Sequence, residues 1–277
     1  MPHRPLPPPP WLTGAIAAFT AMAIATRQIK GVHDTFEILA YRSMIGWVLV
    51  VAIAAALGRL RDIRTDRLPS HLVRNVFHFT GQSLWFWAIT MIPLAQVFAL
   101  EFTSPIWVLL LSPLVLGETL TRRKLVAAAL GFAGVLIVAR PDFGHVEPGV
   151  LAAAAAAFFF ASTNLMTKLL TKGEPILSIL FWLTLMQAVF GTVAMTLFGS
   201  VTLPTLATLP WLVLIGISGI TAHFSLTTAL SLAPASTVVP VDFARLPIIA
   251  VVGALFYAEP IQPSLFAGAA LIFLGIW

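Results

Sequence analysis

Apolar residues run along this chain in long blocks, each close to the roughly 20 residues a helix needs to cross a hydrocarbon layer. The polar residues collect between the blocks. The pattern predicts membrane helices over 11–30, 36–58, 73–92, 94–116, 123–139, 149–171, 175–198, 209–231, 233–257 and 263–277. Breakers and charges mark the gaps, as in GRLRDIRTDRLPSH, GETLTRRK, ARPDFGHVEPG and AEPIQP. Strand-length alternation is absent, so the expected fold class is an all-α integral membrane protein with ten transmembrane helices.

The two halves repeat one pattern. A shift of 141 residues places Thr80 on Thr221, Pro93 on Pro234, Phe102 on Phe243, Glu118 on Glu259 and Gly134 on Gly275, and it aligns the acids Glu101 and Asp242. The expected organisation is a cytoplasmic tail over 1–10, a five-helix unit over 11–139 and a second over 149–277. Five crossings is an odd number, so the second unit enters the membrane from the opposite side. Inverted repeats of this kind mark alternating-access transporters, with the substrate held near the midplane around a central cavity. The same shift puts the end of the last helix near residue 280, so a short cytoplasmic tail is expected beyond Trp277.

Composition agrees. The chain is 59% hydrophobic and 10% charged, with a mean hydropathy of +0.96, whereas soluble domains carry about a quarter charged residues. There is no cysteine, which excludes disulfides and thiol chemistry. The net charge of +5 does not point to nucleic acid, because the basic residues flank the apolar blocks. With the N-terminus in the cytoplasm, Arg27, Lys30 and Arg140 fall outside, Arg42 and Arg245 fall within helices, and the other eleven of the sixteen basic residues face the cytoplasm. That bias predicts a multi-pass inner-membrane protein with both termini cytoplasmic. MPHRPLPPPP lacks the apolar core of a signal peptide. No phosphate-binding glycine loop and no HxxxH, HExxH or GxSxG pattern occurs. The expectation is therefore no cofactor, no metal and no enzymatic activity, and a monomer working on a small molecule within the lipid bilayer.

A charged side chain inside the bilayer costs about 2.5–3.5 kcal/mol on insertion scales, so the few present are candidates for function. PVDFARLP, residues 240–247, holds Asp242 and Arg245 three apart. They either neutralise each other or leave Arg245 to hold a substrate carboxylate bidentately. Glu101 and Arg42 sit at similar depth, which suggests either a salt bridge between them or a Glu101 that attracts an ammonium group. Pro105 and Pro247 follow the two sites and would open their helices for structural or gating purposes. His78, Gln82 and Trp85 form one stripe, and His223 with Thr227 a second. Trp85 or Phe102 would supply an apolar wall. Asn164 interrupts the sixth helix and is expected to hydrogen-bond across the repeat interface.

GETLTRRKLVAAALGFAGVLIVARP (117–141) resembles the fourth-to-fifth-helix region of EamA-type members of the drug/metabolite transporter superfamily. LAYRSMIG (39–46) and ALEFTSPIWVLLL (99–111) resemble that family's second and fourth helices, and AEPIQPSLFAGAALIFLGIW (258–277) is a weaker echo of the first motif. Within the family the chain is most similar to YddG-type exporters. That resemblance implies export of amino acids and related metabolites, from a site between the third, fourth, eighth and ninth helices. Drugs, nucleosides and sugar derivatives are alternative cargoes; an intramembrane enzyme and a passive channel are alternatives of other classes.

Overall fold

A computed structural model describes residues 10–64, 66–117, 119–139, 147–241, 245–257 and 263–276. These residues form twelve α-helices and no strand. The first six are α1 (Pro10–Gln28), α2 (Thr35–Ala56), α3 (Leu68–Met91), α4 (Leu94–Glu101), α5 (Ser104–Leu116) and α6 (Arg122–Ala139). The next six are α7 (Pro148–Leu170), α8 (Ile176–Phe198), α9 (Leu209–Leu232), α10 (Ala235–Val241), α11 (Arg245–Tyr257) and α12 (Pro263–Ile276). Among the described residues, five stretches are long and apolar enough to cross a membrane: Thr35–Ala56, Gln96–Leu116, Pro148–Leu170, Ile176–Phe198 and Leu209–Leu232. Large apolar side chains such as Leu114, Leu197, Leu255 and Phe256 are exposed on the outside. Lipid tolerates such a surface and water does not.

The fourth expected helix is broken. Proline at 105 has no N–H, and its ring clashes with the carbonyl four residues back, so α4 stops at Glu101 and α5 restarts at Ser104. Leu100 O is capped at the break by the Thr103 N–H at 3.0 Å and by the Thr103 hydroxyl at 2.8 Å. The third helix starts at Leu68 rather than near residue 73, because Pro69 in its first turn is preorganised for helix. Asn164 does not interrupt α7, which is continuous from Pro148 to Leu170.

The shift of 141 residues reappears in the helix ends. It carries α3 onto α9 and α5 onto α11 with both boundaries matching. The residues closing α3 and α9 also correspond: Ile92 (φ −124°, ψ 163°) donates to Ala88 O, and Ala233 (φ −143°, ψ 162°) to Ala229 O. A basic side chain caps each end. Arg27 donates to Ile92 O at 2.7 Å. Its counterpart Lys168 donates to Leu230 O at 2.6 Å and Ala233 O at 2.9 Å.

Packing crosses between the halves: α1 lies mainly on α9, α3 on α7, α2 on α8 and α6 on α12. Along the α3–α7 contact, Arg74 meets Thr167, Gly81 meets Phe160 and Ile92 meets Gly149, so these helices run antiparallel. In the same way Ala40 meets Gly191 and Gly46 meets Thr184, so α2 and α8 are antiparallel too. Gly191 has to be glycine, since a Cβ would stand 2.8 Å from Ala40 N. The alanine-rich face of α7 (Ala152, Ala153, Ala156) is fully buried in the core beside Ile89, Phe98 and Ala99, where small side chains permit close approach.

The α1–α2 turn is fastened to the segment before α9. Asp34 and Glu37 form a capping box at the start of α2. Asp34 Oδ2 also accepts from Ser200 N at 2.7 Å and from its hydroxyl at 3.0 Å. Glu37 accepts from Thr202 N, and His33 bridges Glu37 Oε2 (3.3 Å) and Thr208 Oγ1 (3.0 Å).

Candidate functional site

A chamber of about 70 Å³ lies between α1, α3, α7, α9, the break between α4 and α5, and residues Val239 of α10 and Arg245 of α11. At about 10–15 Å³ per water centre it holds roughly five waters. One face of α3 supplies Arg74, His78, Gln82 and Trp85, spaced so that each stands about one turn above the last.

At the upper end, Glu101 closes α4 and accepts two bonds. Trp85 Nε1 donates to Oε2 at 2.7 Å and Arg245 Nη2 to Oε1 at 3.0 Å. Arg245 opens α11 and its side chain is 1% exposed, against 13% for Glu101. The Arg245 guanidinium carbon also sits 4.6 Å from the ring centroid of Phe19, 5.2 Å from Phe98 and 5.8 Å from Phe102. A desolvated cation is stabilised on such faces. In mid-chamber the His78 and His223 rings meet edge to face at 4.7 Å. Neither ring nitrogen of His78, nor Nε2 of His223, nor Oγ of Ser104 has a hydrogen-bond partner among the described residues, although all four are buried. Orphaned polar atoms lining a cavity are groups waiting for a polar occupant.

At the lower end, Arg74 Nε donates to Thr167 Oγ1 at 2.9 Å and Nη1 to Asn75 Oδ1 at 3.4 Å. A smaller pocket on the far side of His223 contains Arg42. Arg42 Nη1 donates to Gln82 Oε1 at 2.6 Å, and its shaft crosses Gly219, where a Cβ would come within 2.6 Å of Nε.

The family model described as the EamA-like transporter family matches residues 9–140 and again 147–277. The chain belongs to the EamA-like transporter family. A riboflavin transporter of Brucella anthropi is 31% identical over 94% of this chain and 94% of its own length. One of Vibrio cholerae is 30% identical over 99% and 93%. An S-adenosylmethionine uptake transporter of Rickettsia bellii is 24% identical over 95% and 89%. A known crystal structure superposes with a TM-score of 0.76 over 96% of this chain and 93% of its own, at 21% identity, which shows a shared fold. These EamA relatives are transporters, not enzymes, so the intramembrane enzyme is set aside and this chain is a multi-pass membrane transporter of the drug/metabolite superfamily. The amino-acid cargo expected from the YddG resemblance finds no support in their names, which speak of riboflavin and S-adenosylmethionine.

Of the expected site residues of this EamA chain, His78, Gln82, Trp85, Glu101, Phe102, His223, Thr227 and Arg245 all line the one chamber, and so do Pro105 and Asn164. Asn164 has no hydrogen bond across an interface among the described residues; it stands half-buried on the wall. The expected Arg42–Glu101 salt bridge does not form. Glu101 is taken by Arg245 from the other half, and Arg42 reaches Gln82 instead. Pro247 lies in the first turn of α11. Asp242, Glu118, Glu259, Arg140, Trp277 and the tail over 1–9 lie outside the described residues. Arg74, counted from the sequence only among the basic residues that face the cytoplasm, is a wall residue. Its signal was the stripe itself, which continues back from His78 by four residues. Phe19 and Met22 on α1, and Phe160, Thr163 and Thr167 on α7, were also missed.

Proposed function

We propose that this chain moves a small, ring-bearing organic molecule across the bacterial inner membrane by alternating access. In this reading residues 11–139 and 149–277 are inverted five-helix units, which with α4–α5 and α10–α11 each counted as one crossing give ten. The observation that carries it is the antiparallel packing of α2 on α8. These two helices occupy equivalent places in the two halves, and equivalent helices run in opposite directions only if the halves do. The broken α4–α5 helix flanks the chamber, as such helices do where transporters bind cargo at the midplane. The excess of basic residues on one side supports cytoplasmic termini, and one chain containing both halves supports a monomer.

The cargo class follows from the wall. Phe19, Trp85, Phe102 and Phe160 supply ring faces, and His78, Gln82, Asn164 and Arg74 supply a few placed polar groups, the usual make-up of a small-molecule site. The names of the relatives point the same way, since riboflavin and S-adenosylmethionine both carry fused nitrogen rings. A chamber of about 70 Å³ is smaller than the several hundred Å³ such ligands need, so the walls must part to admit cargo. Parting on one side at a time is alternating access.

The test is flux of riboflavin, S-adenosylmethionine and a mixture of amino acids through proteoliposomes holding the full chain, in both directions. Saturable, competable flux of a ring-bearing compound is expected. Flux confined to amino acids, or a non-saturating ohmic leak, would overturn the reading.

A further inference from the structure

Arg74 is a cation at the lower end of the chamber, and its charge is unanswered. Its side chain is 1% exposed, and no carboxylate lies within ion-pair distance among the described residues. The carboxylate lining the same chamber, Glu101, already holds Arg245 and Trp85. It is also far away: Trp85 follows Arg74 by eleven residues on a continuous helix, an axial rise of about 16 Å. Arg74 is nonetheless held in place. Thr167 Oγ1 accepts from Nε while donating to Thr163 O at 2.7 Å. Asn75 is fixed through Nδ2 to His71 O at 2.8 Å, and Gln187 Nε2 donates to its Oδ1 at 3.2 Å. Two of the five guanidinium donors are spent on neutral acceptors, and Arg74 is part of the chamber wall. One turn above, His78 offers two ring nitrogens without partners among the described residues.

A buried, oriented guanidinium with donors to spare suits an oxyanion that presents two oxygens, which it grips through two parallel bonds. We propose that the lower end of the chamber is an oxyanion seat centred on Arg74, so that the cargo carries a carboxylate or phosphate there and its ring among Phe19, Phe102 and Phe160. This rests on the transporter reading and narrows its cargo.

The experiment uses the full chain in detergent and in proteoliposomes, with two pairs of probes that differ in the anion alone: flavin mononucleotide against riboflavin, and phenylacetate against phenylacetamide. Binding is read by calorimetry and flux by uptake. In the wild-type chain the charged member of at least one pair should bind about tenfold or more tightly, the value of one charge-assisted hydrogen bond; which pair responds separates phosphate from carboxylate. Arg74→Gln should erase that preference, while Arg74→Lys should keep part of it. Thr167→Val, which frees Nε without removing charge, should weaken the charged probe alone and serves if Arg74→Gln does not fold. Equal binding of charged and neutral probes, no binding of either charged probe, or a preference that survives both Arg74→Gln and Thr167→Val would overturn the seat. Saturable riboflavin flux through the wild-type chain, together with equal binding of the charged and neutral probes, would leave the transporter reading standing and remove this inference alone.

Discussion

Substituting glutamine for Glu101 removes one charge from the upper end of the chamber while keeping the side chain's length and one carbonyl acceptor. Breaking a fully buried ion pair costs about 3–5 kcal/mol, chiefly because the other charge stays behind. Two features lower the figure here. Glu101 is 13% exposed, and Arg245 keeps three phenylalanine faces at 4.6–5.8 Å, each contact worth about 0.5–2 kcal/mol. About 2–3 kcal/mol is therefore expected for Glu101→Gln. Trp85→Phe deletes the indole donor, at about 1.5 kcal/mol because its acceptor is charged, and adds the cost of the smaller ring at a buried position. Both changes act on one carboxylate, so the double variant should fall short of the sum by about 1 kcal/mol. Equilibrium unfolding in mixed detergent micelles, followed by circular dichroism so that loss of an indole does not disturb the signal, measures all four corners of the cycle. Additivity within about 0.3–0.5 kcal/mol would refute a shared carboxylate, and a Glu101→Gln cost under about 0.5 kcal/mol would reduce the pair to surface strength.

Three further outcomes follow from the packing. Gly191→Val sets a branched side chain against the backbone of Ala40, and should lower stability by about 1–3 kcal/mol through overpacking, read as a lower unfolding midpoint in the same micelles. Asp34→Ala loses the cap of α2 and both Ser200 bonds; about 1–2 kcal/mol is expected from the cap, with faster amide exchange at Ser200 and quicker proteolysis near 200–208. Arg42→Met strips the guanidinium from Gln82 and leaves the Glu101–Arg245 pair intact, so stability should fall by about 1.5–3 kcal/mol while the Glu101–Trp85 coupling energy stays as in the wild-type chain.

Helix positions were legible because lipid imposes a length and an apolar composition on each crossing, and prolines and charges then mark its ends. The break after Glu101 was legible too, since Pro105 cannot continue the ladder to the residue four before it. Partners across the chamber were not. Arg42 and Glu101 sit at similar depth, but depth along a helix says nothing about which way a side chain points around it, and Glu101 met Arg245 instead. Arg74 was hidden by its place at the end of the expected helix, where a basic residue reads as a topology marker. With α3 beginning at Leu68, Arg74 lies about a turn and a half inside the helix, on the His78–Gln82–Trp85 face. The aromatic contributions of α1 and α7 left no trace, because Phe19 and Phe160 in apolar helices read the same whether they face lipid or cargo.

A protein made of two interchangeable pieces would have no preference between its two gates: swapping the pieces turns one form into the other, and mirror-related forms have equal energy. Any bias must come from positions where the pieces disagree. Arg245 stands where the other piece has Ser104. Arg27 reaches the Ile92 carbonyl with a guanidinium, where Lys168 reaches those of Leu230 and Ala233 with an ammonium. Under the proposed mechanism such mismatches decide which door stands ajar at rest, so exchanging Arg27 and Lys168 should tilt that balance without touching the cargo.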